Sequence, residues 1–370
     1  MFSKVYEETN KKVLDALEKA KNWDVSIALS KIKSSEELNL LDYASLLADH
    51  NKKYRDCILE SSEKITRKNF KSKVGFIVPI YIDTRCQNKC KYCGMSSEIK
   101  NLDRKWLDYN SFLDELNIVV EMKYNTVELV AGSLNYDFGL LKKMMSAIRD
   151  KVDGSAFCFE SLTEDEYKIF ANYLDTTILF QETYDEKMYK YYHPKDTKKG
   201  DMDFRLDASE RAMSAGIKKI GIGVLFGLSK MEYDVLMLIE YGNYLKERYD
   251  IFPHLIGIPR LKSADGTEIR DTGFEVSDDD YIFATAIYRL AFPNAEIVAS
   301  TRENPECISK LLKYSATFTN FCCSLKPGGY KELKDGLNTE GQFHYYSPGY
   351  NSMKNLIEKN GLEMDFKRYI

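Results

Sequence analysis

The chain opens on a helical pattern. In "VLDALEKA" (13–20) and "LNLLDYASLLADH" (38–50) apolar residues recur every three or four positions, the spacing of one helix face. No strand-like alternation occurs before about residue 70. From residue 75 the pattern changes, and short apolar or β-branched runs alternate with amphipathic stretches. Eight runs can be read: "GFIVPIYI" (75–82), "TVELVA" (126–131), "SAFCFE" (155–160), "TTILFQ" (176–181), "IGIGVLF" (220–226), "PHLIGI" (253–258), "AEIVAS" (295–300) and "SATFTNF" (315–321). Helical segments such as "YNSFLDELNIVVEMKY" and "SERAMSAGI" separate most of them. Strands separated by helices imply parallel βαβ units with right-handed crossovers. The expected fold class is therefore α/β: a (β/α)8 TIM-type barrel with an N-terminal helical extension. A doubly wound open sheet is the alternative. The expected organisation is a helical extension over 1–72, the barrel over 73–330, and a C-terminal helix and tail over 331–370.

Composition narrows the picture. The chain has 370 residues, 44% hydrophobic and 30% charged, which is globular and suits one large barrel. A net charge of −4 gives no general reason to expect nucleic acid or an anionic membrane as partner. No run reaches membrane-spanning length, and "MFSKVYEETNKKVLDALEKA" has no apolar core of signal-peptide type. Eight cysteines in so long a chain do not read as a secreted disulfide scaffold. A reducing, cytoplasmic location is expected.

The cysteines carry the first chemical signal. "YIDTRCQNKCKYCGMSSEI" (81–99) places Cys86, Cys90 and Cys93 in a CxxxCxxC spacing directly after the first predicted strand. A barrel puts its chemistry at that end of the strands. Thiolates bind zinc or iron–sulfur clusters because sulfur is soft. A structural zinc site wants four ligands, and neither a fourth Cys nor any of the four histidines lies nearby. A cubane cluster on three thiolates keeps one iron open to a small molecule. A non-catalytic zinc site completed by a distant residue remains the alternative.

CxxxCxxC with Tyr92 before the last cysteine resembles the cluster loop of radical S-adenosylmethionine enzymes. "VPIY" (78–81), "FQETY" (180–184), "HP" (193–194), "FRL" (204–206), "RAMSAGI" (211–217), "GIGVLFGL" (221–228), "PRL" (259–261), "STRE" (300–303) and "PGGY" (327–330) follow in an order similar to the aromatic amino-acid lyases of that superfamily. That group includes tyrosine lyases and a tryptophan lyase. The resemblance covers about residues 65 to 350. It implies a [4Fe–4S] cluster on Cys86, Cys90 and Cys93. S-adenosylmethionine would chelate the open iron, and a 5′-deoxyadenosyl radical would attack a free aromatic amino acid. The most direct expectation is a tyrosine Cα–Cβ lyase giving p-cresol and 2-iminoacetate. A tryptophan lyase, or a radical lyase or rearrangement of another amino acid, stays open.

The resemblance also assigns residues. Tyr92, Ser133, Glu182 and Arg205 match positions around S-adenosylmethionine. Arg260, Ser300 and Arg302 match those that hold the substrate carboxylate, for which a bidentate guanidinium is well suited. Tyr81 matches a residue near the substrate amine. Tyr81 and Arg302 are the expected catalytic pair. Two departures stand out. Met95 follows Gly94 where tyrosine lyases carry an aromatic, and "AGS" puts Ser133 where they carry an acidic residue. A buried substrate phenol needs a polar partner, for which His254, Thr319 and Asn320 are candidates. The adjacent Cys322 and Cys323 point to opposite faces of a strand and do not suit one metal. Expected partners are an amino-acid substrate, a low-potential electron donor of flavodoxin or ferredoxin type, and a biosynthetic protein that takes up a labile imine.

Overall fold

The computed structural model describes the chain except residues 134–136, 159, 268, 270, 334–335 and 340 and the side chains of residues 49 and 50. Four helices come first: α1 (Tyr6–Ala20), α2 (Val25–Ser34), α3 (Leu40–Leu47) and α4 (Arg55–Phe70). Tyr6, Val13, Ala16 and Ala20 are the buried residues of α1, spaced seven, three and four apart along one face. Asn39 and Asp42 form a reciprocal capping box that starts α3. The Tyr6 hydroxyl reaches the Tyr184 carbonyl at 2.5 Å, and Arg55 pairs with Asp280 at 2.5 Å. The extension is thereby fastened to the outside of the barrel.

The barrel strands are β1 (Lys73–Phe76), β2 (Val78–Asp83), β3 (Thr126–Ala131), β4 (Gly154–Cys158), β5 (Thr176–Glu182), β6 (Lys219–Val224), β7 (Leu255–Gly257), β8 (Glu296–Val298) and β9 (Phe318–Thr319). All eight predicted runs contain strand. The first is split at Ile77 into two pieces that face different neighbours. β1 pairs with β9, Gly75 opposite Phe318, and β2 pairs with β3, Val78 opposite Val127. Every neighbouring pair between β2 and β9 is parallel. The run from β1 through β9 to β2 thus begins and ends on two halves of one segment, and the sheet curls as a barrel of the TIM type does.

The C-terminal stretch does more than its sequence suggests. β10 (Gly336–Asn338) and β11 (Tyr345–Ser347) form an antiparallel hairpin, and β12 (Glu363–Met364) adds to β1 in parallel. The last residue, Ile370, is buried with Ile77, Ala156, Ile178, Leu255 and Phe318. Its side chain fills the N-terminal end of the barrel. Sequence periodicity cannot register a two-residue strand or a plug made of a single side chain. Among the described residues no helix is long and apolar enough to cross a membrane.

Candidate active site

A cavity of about 210 Å³ opens at the C-terminal ends of the strands. The cysteine loop after β2 forms one wall. Arg104 holds this loop in shape by donating to the carbonyls of Thr84, Met95, Ser96 and Ile99 at 2.7–3.2 Å. The Gln87 amide donates to the Ser133 carbonyl at 2.6 Å, tying the loop to the end of β3. The contact is close because residue 132 is glycine: a Cβ there would lie 2.2 Å from the Arg85 carbonyl oxygen. Tyr92 is buried and shares a 2.9 Å hydrogen bond with His193 Nε2, whose Nδ1 meets the Tyr189 carbonyl. Burial, helped by Lys199 and Arg205, lowers the His193 pKa well below its usual value, so the ring is neutral.

The sulfur atoms lie amid N–H donors. Ser133 N–H points at Cys86 Sγ (3.3 Å), and Met95 N–H and Gln342 Nε2 point at Cys93 Sγ (3.4 and 3.6 Å). Burial pushes the Cys90 thiol up to about 12 against the pull of the Lys199 ammonium. A thiolate at that depth needs a cation to take its charge. Among the described residues the three sulfurs are not gathered within 4.8 Å of one another. Thiolates on one zinc would stand about 3.8 Å apart, given zinc–sulfur bonds of about 2.3 Å in a tetrahedron. Wider spacing suits ligands of three different irons. Three soft thiolate donors on one loop fit an iron–sulfur cluster.

The opposite wall is charged. Glu182 ends β5 with φ of +74°, next to a register shift between Phe180 and Glu182. This irregularity sets the carboxylate among two cations. Lys199 pairs with it at 2.6 Å and Arg205 at 3.4 Å, while Arg205 also grips the Phe180 carbonyl at 2.6 and 2.9 Å. Burial alone would raise the Glu182 pKa; Lys199 and Arg205 outweigh it and hold the carboxyl below its usual value.

Arg302 forms the third element. Its guanidinium lines the cavity and stacks over the Phe343 ring at 3.3 Å. Its backbone N–H donates to Ser300 Oγ at 3.2 Å. Among the described residues its side chain makes no hydrogen bond or ion pair. Tyr81 lies close by, with its hydroxyl donating to Gln342 Oε1 at 2.8 Å. Tyr81, Tyr92, Cys93, Glu182, Arg205, Ser300 and Arg302 all line this one cavity. Arg260 does not. Its guanidinium is engaged by Glu303, by Asp278 at 2.6 Å and by the Val276 carbonyl at 2.7 Å. Ser133 donates its hydroxyl to Glu160, whose other oxygen has Lys198 at 3.7 Å.

Comparison with known proteins now decides the family. Residues 80–239, which run from β2 through the cysteine loop and the Glu182 wall, match the Radical SAM superfamily. The chain carries a Radical SAM domain over these residues. Residues 257–322 of this radical SAM protein match the Biotin and Thiamin Synthesis associated domain. Over 321 residues it is 29% identical to 2-iminoacetate synthase of Escherichia coli K12, covering 84% of this chain and 82% of that protein. The Salmonella typhimurium 2-iminoacetate synthase is also 29% identical, over 84% of this chain and 81% of its own length. Among solved structures, HydG, a maturase of the [FeFe]-hydrogenase, superposes with a TM-score of 0.90 at 26% identity, covering 96% of this chain and 80% of HydG. HydG from Carboxydothermus hydrogenoformans gives 0.90 at 25% identity, covering 98% of this chain and 84% of that one. Radical SAM membership implies a [4Fe–4S] cluster and S-adenosylmethionine as cofactors, together with a small-molecule substrate and a reductant.

Sequence reasoning missed four polar residues here. Lys199 sits in "TKKGD", which reads as a solvated turn. Gln342 comes from the hairpin beyond the barrel. Glu160 ends a run whose next-but-one neighbours are apolar. Glu128 did carry a signal: in "TVELVA" the period-two alternation puts Thr126, Glu128 and Val130 on one face.

Proposed function

We propose that this radical SAM enzyme is a tyrosine lyase, cleaving the Cα–Cβ bond of free L-tyrosine to p-cresol and 2-iminoacetate. The observation that carries the reading is Arg302. A half-buried guanidinium that makes no ion pair among the described residues, facing a cavity opposite the cysteine loop, is a ready receptor for a carboxylate. The 2-iminoacetate synthases and the HydG structures support the choice of amino acid.

When bound, the cluster and S-adenosylmethionine would supply the radical that takes a hydrogen atom from the substrate. Cys86, Cys90 and Cys93 would hold the cluster. Glu182, Lys199 and Arg205, with Tyr92 and Ser133, would receive the charged end of S-adenosylmethionine, Glu182 answering an ammonium and the cations a carboxylate. Arg302 and Ser300 would hold the amino-acid carboxylate, and Tyr81 would stand beside the amine. We assign Arg260 a positioning role, because its bonds to Glu303 and Asp278 fix the turn after β7 and the turn after β8 relative to each other. Ile370 below and the hairpin above keep bulk water from the cavity, which protects a radical from stray hydrogen donors. The bidentate grip of Arg302 keeps one substrate hydrogen in line.

We further assign residues 1–72 as an extension that braces the barrel of 73–330, with 331–370 completing it at both ends. A flavodoxin- or ferredoxin-type donor, a cytoplasmic location and a downstream acceptor for the labile imine complete the reading. The test is an anaerobic panel of tyrosine, tryptophan and other amino acids, read by 5′-deoxyadenosine. Tyrosine should be the substrate that drives it. Turnover of tryptophan alone would replace the lyase reading with a tryptophan one.

A further inference from the structure

The cavity continues below Arg302 into the barrel, and its floor is not uniformly apolar. In the β2–β3 register Val130 lies opposite Tyr81 and Glu128 opposite Pro79. Glu128 is therefore one side-chain layer below Tyr81, about 6.6 Å deeper at about 3.3 Å per residue. Asn320, just past β9, lines the same cavity together with Ile77, Ile178, Leu255 and Val298. The Glu128 carboxyl meets the Cys158 thiol, a weak donor. Asn320 Oδ1 is buried and has no hydrogen-bond partner among the described residues. Burial pushes the Glu128 pKa up to about 7, against the pull of Cys158 and Arg302. The other candidates for this role lie elsewhere: Thr319 Oγ1 donates to the Ala299 carbonyl, and His254 does not reach the cavity.

Among the described residues Asn320 Oδ1 accepts no hydrogen bond and the Glu128 carboxyl meets a thiol, so this apolar floor holds acceptor capacity that its neighbours leave unused. An occupant that brings a donor completes it. An aromatic ring suits the aliphatic walls between the floor and Arg302. We infer that Glu128 and Asn320 read a hydrogen-bond donor at the far end of the substrate side chain, selecting the phenol of a hydroxylated aromatic amino acid over phenylalanine. The inference rests on the tyrosine-lyase reading for the identity of the amino acid, but its geometry does not depend on the reaction. A site built around a substrate hydroxyl rejects the analogue lacking it far more strongly than a purely apolar pocket does.

The test separates binding from turnover. Anaerobic titration calorimetry on the reconstituted protein, with S-adenosylmethionine present, gives dissociation constants for tyrosine and phenylalanine. p-Cresol formation is measured on the same preparations. Wild type should bind tyrosine at least about a hundredfold more tightly than phenylalanine. Glu128→Leu and Asn320→Val, each close in size to the original, should each shrink that ratio at least about tenfold. Glu128→Gln, which keeps an acceptor, should retain most of it. Iron content and the melting profile show that each variant is folded. A wild type that binds the two amino acids equally overturns the inference, and so does an unchanged ratio in both Glu128→Leu and Asn320→Val. A preserved tyrosine preference without p-cresol supports the inference and defeats the lyase reading.

Discussion

Replacing Arg302 with lysine keeps the positive charge and removes the fork. The wild-type guanidinium can give a carboxylate two parallel N–H donors, whereas an ammonium gives one well-aligned donor. A hydrogen bond to a charged group contributes about 1.5–3 kcal/mol. Losing one therefore weakens amino-acid binding about 10- to 150-fold, at about 1.4 kcal/mol per factor of ten. The stack on Phe343 at 3.3 Å adds to the loss, since a planar guanidinium suits a ring face better than an ammonium does. Arg302→Ala should go further and leave saturation by tyrosine out of reach. The assay is anaerobic calorimetry with tyrosine, paired with 5′-deoxyadenosine and p-cresol counts. Iron content should not change, because Arg302 makes no hydrogen bond to the three cysteines among the described residues. Cleavage of S-adenosylmethionine should become uncoupled from p-cresol release. If Arg302→Lys binds tyrosine within about threefold of wild type, the unpaired guanidinium is not the carboxylate receptor and the reasoning fails.

Two further outcomes follow from the same geometry. Gly132→Ala places a Cβ 2.2 Å from the Arg85 carbonyl, so the cysteine loop must move, and iron per chain after reconstitution should fall well below about four; full iron loading would show that the loop tolerates the shift. Lys199→Met removes the nearer of the two cations that hold the Glu182 pKa down, leaving burial to push it up. A depressed carboxyl adds stability that is present above its unfolded pKa and lost as pH falls through the folded value, whereas a raised one adds none, so wild type should lose on acidification a stability that Lys199→Met lacks, and the gap between the two should narrow as pH falls. Melting profiles from about pH 8 down to about pH 3 check this, and a gap that stays constant or widens contradicts it.

Much of this was legible in the sequence, for identifiable reasons. Eight apolar runs marked the barrel strands because parallel strands buried on both faces are continuous in apolar character. The cysteine loop was legible because its chemistry is local: three ligands within one turn of chain need no tertiary knowledge. Glu182 and Arg302 could be placed at strand ends, where a barrel presents side chains to its mouth, and Arg205 in the crossover that follows Glu182. The unread part is non-local. Whether an arginine is free or engaged depends on residues far away in the chain, and nothing around Arg260 announces that Asp278 and Glu303 converge on it. Gln342 meets Tyr81 across 261 positions. The plug by Ile370 is likewise a matter of where a tail ends up, which periodicity does not encode.

The central claim is tested most directly by product analysis on tyrosine itself. The reconstituted enzyme is incubated anaerobically with S-adenosylmethionine, a low-potential reductant and tyrosine, and the products are quantified by mass spectrometry. The account predicts p-cresol, and glyoxylate from the hydrolysed imine, in equal amounts and matched by 5′-deoxyadenosine. A fully loaded, reducible cluster that yields 5′-deoxyadenosine but neither p-cresol nor glyoxylate from tyrosine would contradict it.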